Sequence, residues 1–129
     1  MDEARLNQLS NVVMDAAYTV HTQLGPGLLE TAYKACLLCE LETRGLRVEA
    51  EVAVPIIYRE QKIAEVGYRM DLLVENELII EIKSIEAIAP VHHTQLLSYL
   101  RLANKRLGLL INFNVARLKD GISRRVNRL

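Results

Sequence analysis

Three polar residues, Glu75-Asn76-Glu77, separate two apolar stretches, and nothing else in the sequence constrains the fold so tightly. Residues 63–74 and 78–84 each read as strands, and so short a link joins antiparallel neighbours. Asn tolerates the left-handed conformation that a tight turn requires. Residues equidistant from Asn76 then face each other, which sets Asp71 opposite Glu81. The second stretch closes with Glu81-Ile82-Lys83-Ser84. Alternation puts Leu78, Ile80 and Ile82 on one face and Ile79, Glu81 and Lys83 on the other. A Glu-x-Lys on one face is either a salt bridge at a strand end or a piece of a site.

The remaining segments supply the frame around this hairpin. Leu6, Leu9, Val13, Ala16, Ala17, Val20 and Leu24 recur near the helical period over residues 4–24, and Gly25-Pro26-Gly27 stops that helix. A second helix is expected from Leu28 to Arg44, with Gly45 as its cap. Its apolar residues cover more than one stripe, which predicts deep burial. Residues 48–58 alternate as a strand that Pro55 assigns to an edge or a bulge, and Arg59 to Lys62 form a polar turn. After Pro90, residues 91–103 read as a helix and 106–113 as a buried strand; Gly121 to Leu129 fits a short strand or a helix equally. The order predicts an α/β (α+β) fold, with an antiparallel three-strand meander, a crossover helix, a fourth strand and helices packed on the sheet. At 129 residues the chain suits a single domain over 1–129. With no Trp and one Phe, its core must be mostly aliphatic.

Several function classes are excluded or weakened. No apolar run approaches a membrane span, so no membrane partner is expected. The opening MDEARLNQLS is polar and acidic at once and does not read as a signal peptide; the expected location is cytoplasmic. Cys36 and Cys39 form a CxxC inside a helix, without a helix-start turn or a second ligand pair, so buried thiols are expected rather than a redox or zinc site. The net charge is zero, but residues 101–129 hold eight basic residues against Asp120, a net +7. Arg117, Lys119, Arg124 and Arg125 belong to that segment, and a basic face or a solvated tail both fit it.

Polar residues that interrupt apolar patterns carry the chemistry. Cross-strand neighbours have Cβ atoms ~5 Å apart, so carboxylates at Asp71 and Glu81 would repel unless a cation lay between them. A hard divalent cation such as magnesium suits oxygen ligands and substrate phosphates. Lys83, one pleat beyond Glu81, could hold a water that attacks a phosphate, or help remove its proton. A structural Lys–Glu pair is the alternative. Glu30 sits in the first turn of the second helix. His92, Gln95 and Tyr99 share one face of the helix after Pro90, where Gln95 and Tyr99 could orient a water or touch a phosphate. A lone His92 reads as surface or satisfied, and His21 and His93 have no evident partners.

Asp71 followed by Glu81-x-Lys83, with the preceding helical Glu30, resembles the PD-(D/E)XK nuclease superfamily. Gly27-Leu28-Leu29-Glu30-Thr31-Ala32-Tyr33 is similar to the signature of its GxxExxY family, and Gln95-Leu96-Leu97-Ser98-Tyr99 to a QxxxY motif of its phage-exonuclease-like branch. Met70 stands where the superfamily name has Pro. The resemblance implies a restriction-endonuclease-like core and a magnesium (or manganese) ion held by Glu30, Asp71, Glu81 and the carbonyl of Ile82. It further implies that Lys83 assists the water. The expected activity is hydrolysis of nucleic-acid phosphodiesters, with DNA as the expected substrate; a non-cleaving nucleic-acid-binding or partner-binding protein of the same fold is the alternative. A small nuclease domain gains grip from a second copy, so a homodimer is an expectation.

Overall fold

The computed structural model describes residues 1–128 and, at residues 65 and 66, the backbone alone. Helices α1 (Glu3–Leu24) and α2 (Glu30–Thr43) precede strands β1 (Val48–Tyr58), β2 (Gln61–Val74) and β3 (Leu78–Lys83). Helix α3 (Pro90–Ala103) then leads to β4 (Leu107–Asn112), a 3-10 turn (Leu118–Gly121) and β5 (Ile122–Val126). The strands form one sheet in the order β1-β2-β3-β4-β5. Only β3 and β4 run parallel, and α3 is the crossover that makes this possible. The meander and crossover agree with the sequence pattern, and the ambiguous last segment is a strand on β4; Leu129 lies outside the described residues.

Local chemistry explains the element ends. Asp2 accepts the Arg5 N–H at 2.8 Å and caps α1. The Arg59-Glu60 turn has two left-handed residues, φ +52° and +63°, so it is shorter than the polar run suggested and suits a two-residue hairpin. Pro55 falls on the outer strand of the sheet, at a break in the β1–β2 register between Val54 and Ile56.

Helices cover both faces. On one, α1 and α2 bury Leu6, Val13, Tyr33 and Leu37 against Leu72, Ile80, Ile82, Leu109 and Ile111. On the other, α3 places Leu96 and Leu100 against Met70, Leu73, Ile79 and Leu110. Helix α2 is less buried than its composition predicts, because its fully buried stripe is Tyr33, Leu37 and Leu41, with Leu38 partly covered beside it. Cys36 and Cys39 lie outside that stripe. Contrary to expectation, both are exposed free thiols, lining a groove of about 200 Å³ with Val20 and Leu24 of α1.

Candidate active site

The β2–β3 register pairs Val74 with Leu78, Leu73 with Ile79 and Leu72 with Ile80. The next residues along are Asp71 and Glu81, and their side chains meet the opposite strand. Asp71 Oδ2 accepts the Ile82 N–H at 2.7 Å, and Glu81 Oε1 accepts the Asp71 N–H at 3.2 Å. Glu81 is buried at 7 % exposure. Burial, and secondly the charge of Asp71, push its carboxyl up to about 8, while the Asp71 N–H and the charge of Lys83 pull the other way. Without a cation, Glu81 therefore holds its proton at neutral pH.

Asp71 occupies a place where strand alternation fails. Leu72 and Val74 belong to the core under α1 and α2, while Met70, two residues earlier, belongs to the core under α3. The adjacent strand changes face at the same level: Val48 packs with the first core and Val52 with the second, around Glu51, whose φ is +54°. Strict alternation would confine Asp71 to the α3 side. At the crossing its carboxylate instead lines a cleft of about 170 Å³ with Ile82 and with Glu30, Thr31 and Lys34 of α2.

Glu30 opens α2, where a carboxylate suits the helix dipole. The preceding loop needs Gly27, at φ +100°, and is pinned by Tyr33. The Tyr33 hydroxyl donates to the Gly25 carbonyl at 2.6 Å and accepts the Leu28 N–H at 3.1 Å. Its ring stacks on Phe113, centroids 4.6 Å apart. Lys34, which pairs with Glu51, was not anticipated. Its spacing of four residues from Glu30 on a helix was the available signal.

Lys83 is half-buried at the end of β3 and makes no ion pair among the described residues, so the Glu81–Lys83 salt bridge is not formed. Its level in the sheet is fixed by pairing with Asn112. Asn112 is a second residue the sequence reading missed. Its buried carboxamide accepts the Ile85 N–H at 3.1 Å and donates to the Ile85 carbonyl at 3.0 Å, holding the segment that leaves Lys83. A polar residue closing the apolar run Leu107-Gly108-Leu109-Leu110-Ile111 was the signal.

On α3, Tyr99 is half-buried, with its ring 4.9 Å from that of Tyr68. Burial first, then the charge of Glu81, push its hydroxyl up to about 12, with Tyr68 and Asp71 adding to the shift. Gln95, one turn earlier, is exposed. His92 is a satisfied cap, accepting the Ala89 N–H on Nδ1 at 2.9 Å. His21 has a partner the sequence did not reveal, the Val115 carbonyl at 2.8 Å.

The structure thus joins Asp71 to Glu81, and sets Glu30 on the cleft shared by Asp71 and Ile82. Among the described residues, no three acidic, His or Cys side chains converge as a metal-holding group. The donor chemistry still fits a divalent cation: two apposed carboxylates, one retaining a proton because of burial and the other's charge, with a third carboxylate on the adjoining cleft.

The basic residues do not form one cluster. Arg124 donates to Asn7 of α1 at 2.7 Å, whereas Arg125 acts electrostatically on His93 of α3, lowering its pKa after the larger effect of burial. As strand neighbours they take opposite faces. Arg117 and Lys119 are exposed at the turn that follows β4. No helix is long and apolar enough to cross a membrane among the described residues.

Over residues 7–126 the chain matches the family model of the PD-(D/E)XK nuclease superfamily. No curated protein and no solved structure matches it.

Proposed function

The chain belongs to the PD-(D/E)XK nuclease superfamily, and from that premise we propose that it hydrolyses DNA phosphodiesters with magnesium or manganese, as a member of the GxxExxY group. The observation that carries this reading is the contact of Asp71 with Glu81 across β2 and β3, next to the cleft that Glu30 lines. Asp71, Glu81 and the carbonyl of Ile82 would hold the cation, with Glu30 as the further carboxylate. When bound, the ion would polarise the phosphate and make water more acidic. Lys83 orients the attacking water and, in its neutral form, takes the proton. The water oxygen bonds to phosphorus, the bond to the ester oxygen breaks, and solvent protonates the departing oxygen. Gln95 and Tyr99 orient the phosphate, while Arg117, Lys119, Arg124 and Arg125 meet the DNA backbone. The domain spans 1–129, works in the cytoplasm and grips its substrate as a homodimer.

A second reading, a nucleic-acid- or partner-binding protein that keeps the fold without cleaving, is favoured because, among the described residues, no three acidic, His or Cys side chains converge. A panel of labelled DNA and RNA, incubated with magnesium, manganese or EDTA, decides between them. The expected result is metal-dependent cleavage of DNA, lost in EDTA and reduced on the order of a hundredfold in Lys83→Ala. Binding without cleavage under every condition would favour the second reading.

A further inference from the structure

The β1–β2 ribbon runs well past its last contact with the rest of the sheet. Strand β2 pairs with β3 only from Leu72 to Val74, whereas its pairing with β1 continues out to Gln61. Eleven residues of β2, about 35 Å of strand, therefore have a ladder partner on one side alone. The ribbon also exposes large apolar side chains. Ile57, Tyr58, Ile63 and Tyr68 are 46, 64, 60 and 39 % exposed. Exposed charges stand among them: the cations Arg59, Lys62 and Arg69, and the acid Glu60.

This ribbon is continuous with the candidate site. Tyr68 precedes Asp71 by three residues on β2, and its ring rests against Tyr99 at a tilt of 51°. Resting on the nuclease reading above, we propose that the ribbon is the substrate arm of that site and takes unpaired nucleotides. Tyr58 and the open side of the Tyr68 ring offer aromatic faces to bases, and Arg59, beside Tyr58 at the tip of the ribbon, meets an intervening phosphate.

The chemistry favours a single strand over the other occupants. Aromatic rings interspersed with cations match a chain of bases on a phosphate backbone. Bases within a duplex are stacked on one another and show a groove-binding protein only their edges, so exposed ring faces gain little from them.

The test is equilibrium binding of a labelled oligonucleotide, as a single strand and as a blunt duplex, with calcium in place of magnesium. The single strand is expected to bind more tightly. Tyr58→Leu should weaken single-strand binding at least fivefold, roughly the lower end of the loss of one base stack, and leave duplex binding nearly unchanged. Tyr58→Phe, which keeps the ring, should retain wild-type affinity. An unchanged melting temperature in both variants shows that the exposed site is not structural. Equal affinity for the duplex, or insensitivity to both Tyr58→Leu and Tyr68→Leu, would overturn the arm. So would sedimentation showing that Tyr58→Leu splits a dimer. Binding that depends on Tyr58 in a protein that never cleaves would sustain the arm and sink the nuclease reading; cleavage indifferent to Tyr58 and Tyr68 would do the reverse.

Discussion

The two faces of the sheet are built differently. Under α1 and α2, mostly aliphatic side chains from two helices and from strands β2, β3 and β4 close one continuous core. Under α3 the core is smaller, and it gives way near β3's end to Glu81, Lys83 and Tyr99. Stability is thus concentrated on one face, while an acid pair that repels itself is tolerated at the margin of the other. Asp71 stands where β2 changes from one core to the other, so its carboxylate reaches the α2 cleft while its backbone N–H meets Glu81.

The sharpest way to break this comparison is to damage the large face alone. Leu37 is fully buried there, and Leu37→Ala should cost about 2–5 kcal/mol. The folded fraction should cleave at nearly the wild-type rate, as read by denaturant melts beside single-turnover assays. Damage to the site should show the opposite signature. Lys83→Ala should slow cleavage on the order of a hundredfold or more and cost under about 1 kcal/mol, since Lys83 makes no ion pair among the described residues. Lys83→Arg should not restore the rate, because guanidinium stays protonated. Rescue by Arg, or a wild-type rate in Lys83→Ala, would reduce Lys83 to architecture.

The acid pair itself predicts a pH dependence. Glu81 has its folded pKa raised to about 8 from 4.5, so between those values the folded state binds more protons than the unfolded one. Its contribution to stability is complete below about 4.5 and lost as pH rises through 8. The melting temperature of metal-free protein should accordingly fall over that window, and Glu81→Gln should flatten the fall. Magnesium should reduce it too, by favouring the charged carboxylates. A metal-free profile identical in wild type and Glu81→Gln would show that burial and Asp71 do not raise the Glu81 carboxyl.

The smallest effect is expected at the far edge. Neutralising Arg124 and Arg125 should flatten the salt dependence of DNA binding without altering metal binding. Because these residues take opposite faces of β5, single substitutions should contribute unequally; an unchanged slope in the double variant would place the phosphate contacts elsewhere.

By itself, the sequence determined what depends on near neighbours. The helical period of residues 4–24, the Glu75-Asn76-Glu77 link and the strand pattern around it specified the meander, and symmetry about Asn76 specified that Asp71 meets Glu81. These features rest on backbone geometry over a few residues, which composition and spacing encode directly. The tertiary structure alone decided which side each ambiguous residue faces. Cys36 and Cys39 resemble core residues in sequence, yet α2 fully buries Tyr33, Leu37 and Leu41 and leaves both thiols exposed. Asp71 escapes strict alternation because β1 and β2 exchange cores together at its level. Asn112 holds the chain beyond Lys83 only because a parallel pairing sets the two side by side. Each of these outcomes depends on contacts between segments distant in the chain, and those contacts exist only once the helices have chosen their faces of the sheet.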